Sequence, residues 1–575
     1  MSDLRHTASA GSDQYDVAIL GGGLAGLTLA LQIKKVRPES TILVVEKQTH
    51  PVPEAAYKVG ESTVEIAAHY LQDVLGLEEH LQTQELRKFG LRFYLSTEDN
   101  QDIAHRVELG LAAPHLIPSY QLDRGRFENM LGREIQQQGV TFLDGCKVKE
   151  ISLQSELHSL RLSQEEKEFA VLARWVVDAS GRSSLLKRQL GLTKKVAHNA
   201  SAVWFRVSQK IDVNEWSNDS DWQARITDGE RYLSTVHLCG EGYWVWLIPL
   251  ASGSTSVGIV TDPAYHAFDT LNRFDLALEW LHTHEPQCAS AVEQCRADVQ
   301  DFRVMKHYSY SCQQVFSSER WCLTGEAGVF TDPLYSPGSD FIALSNSLVS
   351  HLITKELDGE DIRETAIAHN HVYLSIANAW FDIYEQQYGI LGNAQVMVAK
   401  YIWDTAVYWG SFALLAFHDK IRALAYNRKL SINLHRLSSL QHRIQVFFRE
   451  WTAIDQTAVT DRFVDHYNTL DFMKEFHVNL IAELTDAEFD EQFVANVRFL
   501  ERLAGQMVSK VIEELSDSTD NEAVLSQIQS WQADPLLSRA ITIHQQAHEC
   551  APINDSWVYL AQRNRQKEEM PGRAR

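Results

Sequence analysis

Three stretches carry residues whose types and spacing could do chemistry. The first is YDVAILGGGLAG (15–26), with Gly21, Gly23 and Gly26 at the Gly-x-Gly-x-x-Gly spacing that lays backbone N–H groups against a dinucleotide pyrophosphate. Gly21 permits the tight turn, Gly23 the close approach of the ligand, and Gly26 the seating of helix on strand. Leu24 and Ala25 open that helix, and Glu46, at the end of the next apolar run (TILVV, 41–45), stands where a carboxylate reaches ribose hydroxyls. The second is Lys88 in LRKFGLRFYL (86–95). Its apolar neighbours Leu86, Phe89 and Leu91 permit a buried amine with a lowered pKa, fit for nucleophilic work; a solvated lysine beside Arg87 is the alternative. The third is WVWLIP (244–249), where Trp244 and Trp246 share one face of a strand.

The elements that must position these residues follow from the pattern. Residues 15–47 read as strand, turn, helix, strand. KVGESTVE (58–65) reads as a glycine turn entering a helix with Ser62 or Thr63 as cap. SYQLDRGRFENML (119–131) puts Asp123, Arg124 and Arg126 at a helix start, and alternation over 141–177 gives hairpin strands. ARWVVDASGR (173–182) runs a strand into a second backbone-rich loop at Asp178, on the ligand side of such sheets. Residues 200–260 are β-rich. In 320–353 a strand, an acidic turn and a helix return, with Phe341, Leu344, Leu348 and Leu352 on one face. Beyond about 355, helical patterns prevail, dense in aromatics at AWFDIYEQQYG (379–389) and YIWDTAVYWG (401–410). An aromatic helical core accounts for these, and a cavity wall is the second reading.

The expected fold is therefore α/β: a doubly wound nucleotide domain with an inserted β-sheet substrate domain and a large C-terminal helical region. The divisions are a disordered leader (1–14), nucleotide-binding segments with interspersed substrate-side elements (15–195), a β-rich substrate domain (196–305), a nucleotide-binding return (306–355) and a helical domain (356–575). A formal net charge of −23 over 575 residues argues against nucleic acid or an anionic membrane as a main partner. Seven cysteines without CxxC pairs fit reduced cytoplasmic thiols. The 23 histidines show no HExxH or paired spacing, so no metal site is expected. No export signal is visible. The apolar run 401–417 is short for a span and carries Asp404, so no membrane span is expected.

Together GGGLAG, VVDASGR with Asp178, and GEAGVFTDP with Gly325, Glu326, Asp332 and Pro333 resemble the FAD-binding fold of the aromatic hydroxylase class. The resemblance implies an FAD site, with Arg124 near the phosphates. That family usually has Gly-Asp where this chain has Gly325-Glu326. Within the class, Trp244, Trp246, Ile248 and Pro249 resemble the WxWxIP signature of flavin-dependent halogenases, whose tryptophans line the flavin side of the cavity. KVGES, with Lys58, Glu61 and Ser62, resembles their GES turn, and Lys88 falls where they carry a catalytic lysine.

This resemblance implies that reduced FAD, made by a separate flavin reductase, yields hypohalous acid from O₂ and halide (chloride or bromide), and that Lys88 delivers the oxidant. Tyr335 replaces the glutamate of tryptophan-type relatives, which points to phenol- or pyrrole-type substrates, free or carrier-tethered, in secondary metabolite biosynthesis. The family binds halide on backbone N–H groups in the turn holding Pro337 and Gly338. Proline has none, which leaves Gly338 as donor. Asn346 resembles the ordinary hydroxylases. Two alternatives stay open: a flavin monooxygenase or oxidase of an aromatic or acyl-aromatic substrate needing no halide, and a flavoprotein whose C-terminal helices bind another protein such as a carrier domain.

Overall fold

The computed structural model describes residues 14–55, 59–97, 99–455, 457–518 and 521–547. Its first sheet has seven strands. Gln14–Leu20 lies at its centre, between Ile42–Val45 on one side and the long strand Lys167–Asp178 on the other, parallel to both. Thr141–Leu143 extends the sheet beyond Ile42–Val45, and Trp321–Leu323 runs parallel to the end of Lys167–Asp178. His158–Gln164 and Cys146–Ser152 continue it antiparallel, as the hairpin alternation predicts. Strands buried on both faces need helices on each. Leu24–Val36 packs against both Arg124–Gln137 and Gly338–Leu357. The fold class read from the sequence is the one observed.

The second sheet has eight strands, five of them from 201–305. The others come from far away in sequence: Leu91–Leu95, Val107–Gly110 and the edge strand Phe463–Asp465. Along Tyr243–Pro249 the side chains alternate. Tyr243, Val245 and Leu247 join an apolar core with helices Phe274–His284 and Pro286–Gln294, whereas Trp244, Trp246 and Ile248 belong to the opposite face. The helical region after 355 folds over that opposite face, chiefly through Arg363–Tyr384, Ala394–Val407 and Arg428–Thr452.

The run 86–95 is divided between two sheets. Leu86–Arg87 pairs with Tyr120–Gln121, the second sheet begins at Leu91, and Gly90 turns between them at φ +69°, where a side chain would meet Leu111. Ser62 and Thr63 do not cap the next helix, which starts at Glu65 with no side-chain cap. Their hydroxyls have tertiary partners instead: Ser62 bonds Thr235 Oγ1 at 2.7 Å, and Thr63 donates to the Tyr120 carbonyl at 2.9 Å. No helix among the described residues is long and apolar enough to cross a membrane, and Tyr401–Phe417 is buried in the helical region.

Candidate functional site

The C-terminal ends of four parallel strands lie level, Leu20 beside Val45 and Asp178, and Asp178 beside Leu323. A ligand of an open α/β sheet binds outside this edge. A cavity of about 620 Å³ lies there, at ordinary ligand-pocket size. Gly21, Gly23, Leu24, Ala25, Glu46, Glu61, Ser62 and Arg124 line it from the first half of the chain. Gly325, Glu326, Asp332, Pro333 and Gly338 line it from the returning segment, and Trp244 and Trp246 from the second sheet.

The glycines divide the work as their spacing implies. Gly21 is at φ +128°, and a Cβ there would lie 2.2 Å from the Ala179 carbonyl oxygen; one on Gly26 would lie 1.9 Å from the Gly21 oxygen. A Cβ on Gly23 would meet nothing within 4 Å, because that face opens on the cavity. Helix Leu24–Val36 starts at Gly23 without a side-chain cap, leaving donors and dipole for an anion. Glu46 is drawn back on its own loop, accepting from the N–H of Gly22 at 2.7 Å and of Gln48 at 2.8 Å. In the opposite wall, Glu61 Oε2 and Arg124 Nε are buried polar atoms without a protein partner. Burial raises the Glu61 carboxyl, against the charges of Arg206 and Arg124. An open glycine face, an uncapped helix start and buried polar atoms awaiting partners fit a dinucleotide flavin.

Asp178 does not line this cavity. It is fully buried beneath, accepting from the N–H of Ser180 at 3.0 Å and of Leu186 at 2.8 Å, so it shapes the loop from below. Lys58 lies outside the described residues. Asp332 is a buried hub: His198 Nε2 (2.6 Å), Tyr308 (2.7 Å) and Tyr388 (2.6 Å) all donate to its Oδ2. Burial pushes this carboxyl up, but the His198 hydrogen bond and charge outweigh that and hold it below its ordinary value.

Lys88, Tyr335 and Pro337 line a second, smaller cavity with Glu65, His115, Asp340, Trp380, Tyr401, Asp404, Tyr408 and Trp409. Lys88 follows the short strand Leu86–Arg87, just ahead of the turn at Gly90. It is 6% exposed, and its Nζ donates to the Thr63 carbonyl at 2.7 Å. Burial lowers it from 10.5 to about 7, against the pull of Glu65 and Asp340. Burial in turn raises Asp340 to about 7, although the Tyr408 hydroxyl (2.7 Å) and the Ala67 N–H (2.8 Å) both donate to it.

One thin wall separates the cavities, and its two segments show a different side chain to each. Gly60, Glu61 and Ser62 face the large cavity, Val64 and Glu65 the small one. Ser336, Gly338 and Ser339 face the large cavity, Tyr335, Pro337 and Asp340 the small one. The segments are joined where Ser336 donates to Ser62 Oγ at 3.0 Å. Tyr335 and Ser336 are consecutive residues at φ +69° and +62°, the kind of strain that persists where surroundings over-determine it. His237 completes the wall: it lines the large cavity 5.4 Å from Trp244 and stacks at 4.3 Å on Phe93, which in turn meets Tyr335 at 5.9 Å. Burial, then the Lys88 charge, lower His237 to about 3, so it is neutral.

Pro337 is the N-cap of helix Gly338–Leu357, a place where a missing N–H costs nothing. Asn346 lies inside that helix and donates to the Ala25 carbonyl and Thr28, tying it to the fingerprint helix. The aromatics of the C-terminal half serve both ways: Trp380, Tyr401, Tyr408 and Trp409 line the small cavity, while Trp403 and Phe381 are buried in the core. Sequence reasoning missed Glu65, His115, His237 and Asp340. The nearest signal in the sequence was the aromatic run 401–410: its Tyr408 donates to Asp340 at 2.7 Å and, with Trp409, lies in a π-helical turn, Tyr408–Ala413, a distortion frequent at functional sites.

This geometry defines an FAD-binding oxidoreductase, and the comparisons agree. The model of the FAD binding domain family matches residues 14–327, more than half the chain. The chain belongs to that family, and among the proteins it is similar to are flavin-dependent halogenases. It is 26% identical over 443 residues to flavin-dependent halogenase chlA of Dictyostelium discoideum, covering 71% of each chain. It is 25% identical over 381 residues to the 1H-pyrrole-2-carbonyl-[peptidyl-carrier protein] chlorinase of Pseudomonas fluorescens, covering 62% of this chain and 79% of that one. Among solved structures, halogenase PltM in complex with phloroglucinol and FAD superposes at a TM-score of 0.60 and 17% identity, over 83% of this chain and 98% of that one, which shows the shared fold.

Proposed function

We propose that the chain is a reduced-FAD-dependent halogenase of an electron-rich, phenol- or pyrrole-type ring, with Lys88 delivering the oxidant. When bound in the large cavity, reduced FAD with O₂ and halide supplies hypohalous acid. FAD would be held by the Gly21–Gly26 turn, Glu46, Arg124 and the Gly325–Pro333 segment. Gly338 and its helix start would hold the halide.

The observation that carries the reading is the divided site. Trp244 and Trp246 line only the large cavity and Lys88 only the small one, so a ring in the small cavity would be kept from the flavin and would meet an oxidant held by Lys88. An amine lowered to about 7 has a substantial neutral fraction near neutrality, which suits capture of an electrophilic halogen. The aromatic walls suit a flat ring. Support for carrier-tethered delivery comes from the similar Pseudomonas fluorescens chlorinase, whose own substrate is a 1H-pyrrole-2-carbonyl group on a peptidyl-carrier protein, and the reduced cofactor is assigned to a separate reductase.

The test is reduced FAD, O₂ and bromide with a phenol and pyrrole panel, free and carrier-bound, read by mass spectrometry. A bromine isotope pattern lost in Lys88→Ala is the expected result. Oxygenated product without bromine overturns the proposal.

A further inference from the structure

Three side chains from unconnected segments converge beside the small cavity: Glu65 at the start of its short helix, His115 from the loop after Val107–Gly110, and His477 from helix Asp471–Asn479. One ligand atom of each lies within 4.8 Å of the other two. Imidazole and carboxylate bound tetrahedrally at about 2.0–2.1 Å place ligand atoms about 3.4 Å apart. Small side-chain rotations therefore close the triad on an ion.

The hydrogen bonding says what is missing. His477 is fully buried, and its Nδ1 lies 3.3 Å from the Tyr467 hydroxyl. With the proton on Nδ1, Nε2 carries a lone pair, and 3.5 Å from it is Glu65 Oε1. His115 Nε2 is buried as well, and like His477 Nε2 it has no hydrogen-bond partner. Its ring lies 4.8 Å from that of His477 and 4.5 Å from Tyr467, which fixes its plane. With that tautomer, two imidazole nitrogens and a carboxylate face one another and a cation between them would satisfy all three; a protonated His477 paired with Glu65 at 3.5 Å is the competing arrangement.

We propose that Glu65, His115 and His477 form a divalent-metal site of the zinc class, whose open fourth position faces the small cavity and takes an oxygen of the aromatic substrate. Two histidines and a glutamate are a ligand set that leaves one position open, and Tyr467 is the outer partner that orients a ligating imidazole. Glu65 and His115 themselves line the cavity that holds Lys88, so a ring anchored by its oxygen would present its carbons to the amine. The substrate clause rests on the halogenase reading; the metal clause does not.

The experiment uses the full chain, free of any histidine tag, stripped with chelator and titrated with Zn²⁺, with metal read by mass spectrometry and with Co²⁺ as a visible-absorption probe. One zinc per chain and a four-coordinate Co²⁺ spectrum are expected. Glu65→Gln and His115→Gln should each weaken zinc by more than tenfold, and Tyr467→Phe by about tenfold, all with FAD affinity and melting temperature near wild type. A wild-type chain that binds FAD but no zinc, or zinc indifferent to all three changes, overturns the site. A Co²⁺ spectrum unmoved by a phenol that the enzyme does halogenate overturns the substrate clause alone. Loss of halogenation chemistry would leave the metal readouts standing, so the two failures are distinguishable.

Discussion

The Trp244 indole N–H donates to the Tyr388 hydroxyl at 3.0 Å, tying the second sheet's signature strand to the C-terminal helical region. The Tyr388 hydroxyl in turn donates to Asp332 at 2.6 Å, so one hydroxyl links the tryptophan to the segment that returns to the large cavity. Tyr388→Phe leaves a buried indole N–H and one carboxylate lone pair without their partner. The expected loss is about 1–3 kcal/mol of folding stability by denaturant titration. A loosened Trp244 should also show as a rise in free hypohalous acid released per product, read with a small-molecule trap.

The glycines of the fingerprint separate folding from binding. Gly23→Ala adds a methyl group to open space, so the cofactor-free melting temperature should hold while FAD affinity falls by about tenfold or more, measured by fluorescence titration. Gly26→Ala forces a carbon against the Gly21 carbonyl oxygen and should lower the melting temperature even without FAD. Equal effects from the two changes would overturn this division.

Lys88 belongs to the small cavity and not to the large one. Lys88→Ala should therefore leave FAD affinity unchanged while halogenated product falls by about a hundredfold or more, the scale of a positioned catalytic group. A parallel fall in FAD affinity would show that the wall between the cavities had collapsed.

The same amine sets a pH dependence. Its folded value, about 7, lies below the ordinary 10.5. If the neutral amine is the working form, the rate should rise about tenfold per pH unit below 7 and level off above it; a rate that falls through 7 would assign the ammonium as a hydrogen-bond donor. Stability follows by linkage. The native state binds fewer protons than the unfolded chain between about 7 and 10.5, so stability rises with pH across that window, and the full cost of burying the amine is felt below about 7. Lys88→Met should thus raise the melting temperature most near about pH 6 and least near about pH 10, by calorimetry.

What the sequence determined by itself lies where function depends on contiguous backbone. The fingerprint turn, the strand that ends in Glu46, the loop after Asp178 and the returning Gly325 segment each declare themselves through glycine spacing and apolar period, because a phosphate-binding turn is a local conformation. Trp244 and Trp246 declare a shared face for the same reason, strand alternation being a local rule. The tertiary structure alone decided which surface those residues serve. The break at Gly90 that aims Lys88 inward needs Leu111 and the second sheet to impose it. The carboxylate of Asp340 acquires its neighbours Ala67 and Tyr408 from segments far apart in the chain. Glu65, His115 and His477 show no spacing at all, since their meeting depends on a loop, a short helix and the C-terminal region folding onto one cavity. Burial that shifts an amine or joins three ligands is a property of packed neighbours, and neighbours supplied by distant segments leave no period in the sequence.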